Sequence, residues 1–199
     1  MSNGVDRDKR RFLTLLTTGV GAVGAGFAAT PFVLSMTPSA RAKAAGAPVE
    51  VDIGKLEPGR LHTEEWRGKP VWILRRTPEM LKALPTIDNQ LADPASVVAD
   101  QQPVYAQNPT RSIKPEVLVV VGICTHLGCS PIKKLEAGAD AILGDDWSGG
   151  FFCPCHGSKF DLAGRVYKNV PAPTNLVVPP HMFLSDTRIV IGEDKKGTV

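Results

Sequence analysis

The sequence predicts an all-β, antiparallel domain preceded by one N-terminal transmembrane helix. Three observations carry that prediction. Residues 12–36 form an uncharged apolar run directly behind the basic cluster Arg7-Asp8-Lys9-Arg10-Arg11. Beyond residue 48, aliphatic and β-branched runs at 49–53, 71–75, 117–123, 164–167 and 188–191 are punctuated by glycine and proline, a pattern of short strands and turns. Only one segment of that remainder, 78–84, carries helix signals.

The N-terminal run counts 25 residues and as a helix would reach about 37 Å, against roughly 30 Å of hydrocarbon. Positive charge on its N-terminal flank places residues 1–11 in the cytoplasm and the following domain on the outer face. Ala40-Arg41-Ala42 has the form of a cleavage site, but the run is longer than the apolar region of a signal peptide, so an uncleaved anchor over 12–36 is expected. The basic cluster also resembles a twin-arginine export signal, as Arg10-Arg11 or as Lys9-Arg10, and fits neither frame fully. Gly19-Val20-Gly21-Ala22-Val23-Gly24 spells G-x-G-x-x-G. Inside a membrane span it lacks the strand and soluble helix that a dinucleotide site needs, and its small residues suit packing on a neighbouring span.

Residues 37–48 contain Pro38, Gly46, Pro48 and five alanines. They have no apolar face to bury and read as a linker. The chain carries a formal charge of +3, yet six of its basic residues and two acidic ones lie in 1–43, leaving 17 basic against 18 acidic residues, a net of −1, in the remainder. That is not the basic footprint of a nucleic-acid-binding domain.

Within the domain, 49–199, Thr77 is placed to cap a helix over 78–84, with Pro78 at its first position and Glu79 near its positive end. Residues 85–114, with Pro85, Pro94, Pro103 and Pro109, read as a long surface excursion without chemistry. Trp66 and Trp72 flank a strand and read as packing residues. His62 and His181 read as surface or hydrogen-bonded histidines rather than ligands.

All four cysteines lie in two short loops, Cys124-Thr125-His126-Leu127-Gly128-Cys129 and Cys153-Pro154-Cys155-His156-Gly157-Ser158. Each offers one cysteine and one histidine as ligands, plus a second cysteine. Two metal chemistries fit such residues: structural zinc, and an iron–sulfur cluster in which imidazoles replace two thiolates. Zinc held by four thiolates leaves both histidines idle, and zinc held by two of each leaves two cysteines idle. The iron–sulfur reading is therefore preferred. The loops are separated by a segment whose 133–146 portion is rich in charge and glycine. It reads as a solvated loop, with Asp145-Asp146-Trp147 as a docking surface for a basic protein the less favoured reading.

The two hexapeptides resemble the Rieske iron–sulfur protein of quinol–cytochrome c reductases, the cytochrome bc complexes. Gly164-Arg165, Val170-Pro171-Ala172-Pro173 and Phe183-Leu184-Ser185-Asp186 resemble that family's later segments. With the anchor, the likeness covers nearly the whole chain. Rieske ferredoxins and the ferredoxin-like domains of ring-hydroxylating oxygenases generally lack both the spare cysteine pair and the anchor, whereas cytochrome bf and arsenite-oxidase-like subunits are harder to separate.

The resemblance implies an antiparallel Rieske-type β domain with an inserted cluster-binding subdomain at about 122–168. It implies a 2Fe-2S cluster with Cys124 and Cys153 on one iron and His126 and His156 on the other. Cys129 and Cys155 would form a disulfide tying the loops together, worth roughly 3 to 4 kcal/mol in the chain-entropy model, and a disulfide belongs in an oxidising compartment. His156 would be the catalytic ligand that meets quinol. Ser158 would hydrogen-bond a bridging sulfide, Leu127 would shield the cluster and line the quinol contact, and Pro171 would belong to a proline loop covering a third side. Phe160 stands where the family frequently has tyrosine.

The implied activity is that of a proton-translocating oxidoreductase. The implied partners are a cytochrome b subunit, a cytochrome c-type haem subunit, quinol and the membrane, in a dimeric complex of the bacterial inner membrane with the cluster domain on the periplasmic side. Residues 37–48 would act as the hinge on which that domain swings. Neutral imidazoles in place of thiolates raise the potential to about −150 to +300 mV, against about −400 mV for plant-type ferredoxins, and the acidified ring N–H of a ligand couples a proton to the electron.

Overall fold

The computed structural model describes residue 4 and residues 6–194, so residues 1–3, 5 and 195–199 of the expected N-terminal segment and domain end lie outside the described residues. The chain divides into two units, Met1–Ala44 and Ala45–Val199.

In the first unit, helix α1 spans Arg7–Ser35, with the Asp6 carboxylate capping it by accepting from the Asp8 and Lys9 amides. It runs through Pro31, and none of its side chains is buried. The hydroxyls of Thr14, Thr17 and Thr30 donate to the carbonyls of Arg10, Leu13 and Gly26 one turn back. These three hydroxyls are thus satisfied within the helix, as an apolar surrounding requires. The helix is long and apolar enough to cross a membrane. Part of the stretch expected to be a linker is helical: α2, Ala40–Ala45, is started by the Ser39 hydroxyl accepting from the Ala42 amide. Its alanines are strong helix formers.

Among its described residues the second unit contains three three-stranded antiparallel sheets. The first orders β1 (Val49–Asp52), β9 (Arg188–Ile191) and β8 (His181–Phe183). The second orders β2 (Leu61–Trp66), β3 (Lys69–Arg75) and β4 (Val117–Val121). The third orders β5 (Ile132–Lys134), β6 (Gly150–Cys153) and β7 (Ser158–Asp161). The second sheet is the middle layer. Val71, Ile73, Val119 and Val121 face a core shared with Val51, Ile189 and Ile191. Trp72, Leu74, Leu118 and Val120, alternating with them, face a core shared with Phe151, Phe160 and the cysteine loops. That double burial is why β4 is an unbroken run, Val-Leu-Val-Val-Val, with every residue buried.

The sequence pattern missed β2, β5, β6, β7 and β8. β2, Leu-His-Thr-Glu-Glu-Trp, is an edge strand with mostly exposed polar residues, so its partner β3 specifies it. The expected strand at 164–167 is instead a turn followed by isolated bridges, Phe160 with Val166 and Leu91 with Tyr167. The reason is Asp161, whose buried carboxylate accepts from the Ala163 and Arg165 amides and from the Arg165 guanidinium. Those amides are then unavailable to a ladder.

Helix α3, Pro78–Ala83, follows the cap signals, with Thr77 accepting from the Met80 amide at 3.3 Å. The expectation of a surface excursion at 85–114 is corrected. This segment carries 3₁₀ turns at Leu84–Gln90, Ala99–Gln101 and Val104–Ala106, and buries Ile87, Leu91, Ser96, Gln102, Ala106 and Arg111. Arg111, in a left-handed conformation at φ 49°, sends its guanidinium to the carbonyls of Ala163, Gly164, Gln101 and Leu176 and to Gln102 Oε1. Desolvation lowers its pKa to about 10, which leaves it charged at neutral pH. Arg76 behaves alike, holding the carbonyls of Pro115, Thr110 and Leu162 and the Ser112 hydroxyl. Polar satisfaction by these arginines, rather than an apolar stripe, organises the segment, so no periodicity announced it.

Gly122 passes directly under the Trp72 indole, where an added Cβ would collide with the ring. Gly122→Ala is therefore expected to destabilise the domain by about 1 to 3 kcal/mol. Thermal unfolding of the variant beside the wild type measures this directly.

Candidate metal centre

The two cysteine and histidine loops are built on one local plan. The first leaves the end of β4. The second is the tip of the β6–β7 hairpin. In each, the leading cysteine carbonyl accepts from the amide of a glycine four residues on: Cys124 from Gly128 at 3.1 Å, Cys153 from Gly157 at 2.9 Å. Both glycines sit at positive φ, 84° and 79°, a conformation that a side chain would strain. The first loop also closes on itself, with the Cys124 amide donating to the Cys129 carbonyl at 2.7 Å.

This plan sorts the six cysteines and histidines into three pairs. Cys129 and Cys155 are joined by a disulfide across the loops, with Cα atoms 6.8 Å apart. Cys124 and Cys153 are free thiols buried in the core with Trp72, Phe151 and Phe160. The His126 and His156 rings meet edge to face, their centroids 4.8 Å apart. His156 is exposed and His126 is half-buried.

A third segment, 170–173, is tied to both loops. The Ala172 amide donates to Ser158 Oγ at 3.0 Å, and the Thr125 hydroxyl donates to the Thr174 carbonyl at 2.7 Å. Ser158 is fully buried, while Leu127 is 72% exposed and Pro171 is also exposed. The rim of the site is therefore partly apolar and open to a partner.

Burial pushes the Cys124 thiol up, and hydrogen bonding from the His126 backbone opposes it. The adjacent Cys153 thiol raises it further, and the Ser158 hydroxyl lowers it. Two thiolates in one buried site need positive charge between them. His126 Nδ1 is buried and has no hydrogen-bond partner among the described residues, the condition of a nitrogen reserved for a metal. Two buried thiols beside two imidazoles are the donor set of a Rieske cluster, and the residues present fit it.

Of the residues singled out from the sequence, Cys124, His126, Cys129, Cys153, Cys155, His156 and Ser158 converge here. Phe160 lies in β7, fully buried opposite Phe151. His62 stays on the surface beside Glu64. His181 is buried away from the loops' own hydrogen bonds, with Nδ1 2.9 Å from the Pro179 carbonyl, and burial lowers its pKa. Thr125 was overlooked. Its place between the ligand-type residues of the first loop was the only signal for its role.

The chain is similar to known proteins over nearly its whole length. Residues 86–180 match the family described as "Rieske [2Fe-2S] domain", and residues 1–39 match "Ubiquitinol-cytochrome C reductase Fe-S subunit TAT signal". The chain is 65% identical over 194 residues to the "Ubiquinol-cytochrome c reductase iron-sulfur subunit" of Allochromatium vinosum, covering 98% of this chain and 93% of that one. It is 41% identical to the protein of the same description from Blastochloris viridis, covering 96% of each. A solved structure described as "Hyperthermophilic respiratory Complex III" is 26% identical, with a TM-score of 0.47, covering 88% of this chain and 98% of that chain. The chain belongs to the Rieske family, among the ubiquinol–cytochrome c reductase iron–sulfur subunits.

Proposed function

We propose that this chain is the electron-carrying subunit of a bacterial quinol–cytochrome c reductase, with Cys124 and Cys153 binding one iron of its 2Fe-2S cluster and His126 and His156 the other. The observation that carries the reading is the pair of histidine rings at the open end of a site whose two free thiols are buried. When bound, the cluster supplies a one-electron acceptor of raised potential, because imidazoles replace two thiolates.

The chain's own residues do the rest. His126 Nδ1, buried and without a hydrogen-bond partner among the described residues, would hold the metal, and the ring nitrogen of exposed His156 left free of the metal would take the hydroxyl proton of quinol. Leu127 and Pro171 exclude water from that contact and offer apolar surface to the quinone ring. The disulfide fixes the spacing of the two loops. A cytochrome b subunit holds the quinol and a cytochrome c-type subunit receives the electron, in a dimeric complex. Residues 1–11 face the cytoplasm, 12–36 cross the inner membrane, 37–48 form the hinge, and 49–199 lie in the periplasm, where the disulfide is stable.

The test is quinol-driven reduction of c-type haem in membranes with and without this chain. Reduction that depends on the chain is the expected result. An unchanged rate in its absence contradicts the reading.

Phe160 provides a separate expectation. A tyrosine there would bring a hydroxyl into a fully buried position beside the cysteines. Donation to a ligand sulfur favours the more negative reduced state. Phe160→Tyr is expected to raise the midpoint by about 50 mV, for a hydrogen bond of about 1 kcal/mol. A redox titration showing an unchanged or lower midpoint would sink this.

A further inference from the structure

The segment between the two loops, expected to be a solvated loop, is anchored by Trp147. Asp145 and Asp146 are exposed, but Trp147 is only 5% exposed. Its indole Nε1 donates to the Lys134 carbonyl at 2.8 Å, and its carbonyl accepts from the Gly138 amide at 2.8 Å. The indole stacks on Tyr167, with centroids 5.8 Å apart and planes 26° from parallel. These two rings form a small core with Ile87 and Leu91, and Val170 packs against it. Val170 packs also against the large core that holds Cys124 and Cys153. It is therefore the point where the two cores meet, and it is the first residue of 170–173.

We infer that Trp147 is a positioning residue for the 170–173 segment, acting through Tyr167 and Val170. The segment's conformation is governed by its attachments, because Pro171 and Pro173 fix two of its φ angles and leave it little freedom between them. The Ala172 amide is held by Ser158, and the end beyond Pro173 is held by Thr125 through the Thr174 carbonyl. The Val170 end has the aromatic pair to hold its side chain in place. The segment between the two loops thus supports the third wall of the site, the wall that carries Pro171. This inference rests on the reading of 170–173 as part of the site proposed above, but its test needs no quinol.

The test is amide hydrogen exchange, read by mass spectrometry, on the oxidised full-length chain in detergent. Trp147→Ala is expected to speed exchange at Ala172, whose amide is held by Ser158, by about tenfold or more, as a local opening does, with β3 and β4 unchanged. Trp147→Phe keeps a ring against Tyr167 and is expected to restore the slow rate. Should Trp147→Ala fail to fold, Leu143→Ala, which trims a neighbour packed on the same small core, takes its place with the same expectation. Unchanged exchange at Ala172 in the folded variants overturns the inference, and so does an equal rise in β3 and β4. Absence of quinol-driven haem reduction would overturn the proposed function without touching this result.

Discussion

Cys153→Ala is expected to remove the cluster from the chain, and His126→Gln to do the same. Cys153 closes β6 at 1% exposure, and its thiol lies beside that of Cys124. His126 carries the buried nitrogen without a hydrogen-bond partner among the described residues. Even loss of a group that merely supports a ligand typically lowers metal affinity about 10- to 100-fold, so loss of a ligand should go well beyond that. The expected result is complete loss of the EPR signal and of quinol-dependent cytochrome reduction, with the protein still present by immunoblot. The core between the β1–β9–β8 sheet and the β2–β3–β4 sheet contains neither residue, so those two sheets and the N-terminal helix should survive. A wild-type EPR amplitude in either variant would remove that residue from the ligand set.

The second large effect concerns the disulfide. Cys129 and Cys155 are 26 residues apart in sequence, and closing a loop of that size is worth roughly 3 to 4 kcal/mol in the chain-entropy model. The Cys129→Ser, Cys155→Ser double variant should therefore lower Tm by about 10 °C. The larger consequence is geometric. Hydrogen bonds within each loop persist without the disulfide, because Cys124 to Gly128 and Cys153 to Gly157 are backbone contacts. What is lost is the link between the loops, and with it the fixed distance between the two ligand pairs. Cluster content per chain is expected to fall more than the Tm alone would suggest. Iron analysis beside calorimetry checks this, and a double variant with full iron content and unchanged Tm would show the disulfide to be incidental.

The site was more legible in the sequence than the fold around it. Metal ligands must be particular residue types at short spacings, so the two loops carried the candidate ligands without structural help. The N-terminal apolar helix was legible for a similar reason, since it is marked by length and absence of charge. The strands of the cluster-bearing sheet were not. β5, β6 and β7 hold only three or four residues each, too few to show alternation, and their register is set by the loops they support. Residues 85–114 were misread because burial there is achieved by Arg111 and Arg76 binding carbonyls, and a buried arginine looks like a surface residue in sequence. Trp147 was read with its two acidic neighbours as part of an exposed loop. Only the structure shows the indole turned inward against Tyr167. The false strand at 164–167 has the same origin as these errors, a side chain, here Asp161, taking over backbone amides.

The central claim is that this site takes an electron from quinol together with a proton at His156. The most direct test is an EPR-monitored redox titration of the cluster in membranes, repeated across pH. The account predicts a high-potential 2Fe-2S signal whose midpoint falls as pH rises above neutrality, with a slope approaching about 59 mV per pH unit for one proton per electron. A low midpoint that does not move with pH would contradict it and place the chain with the ferredoxins, and the absence of any signal would return the site to zinc.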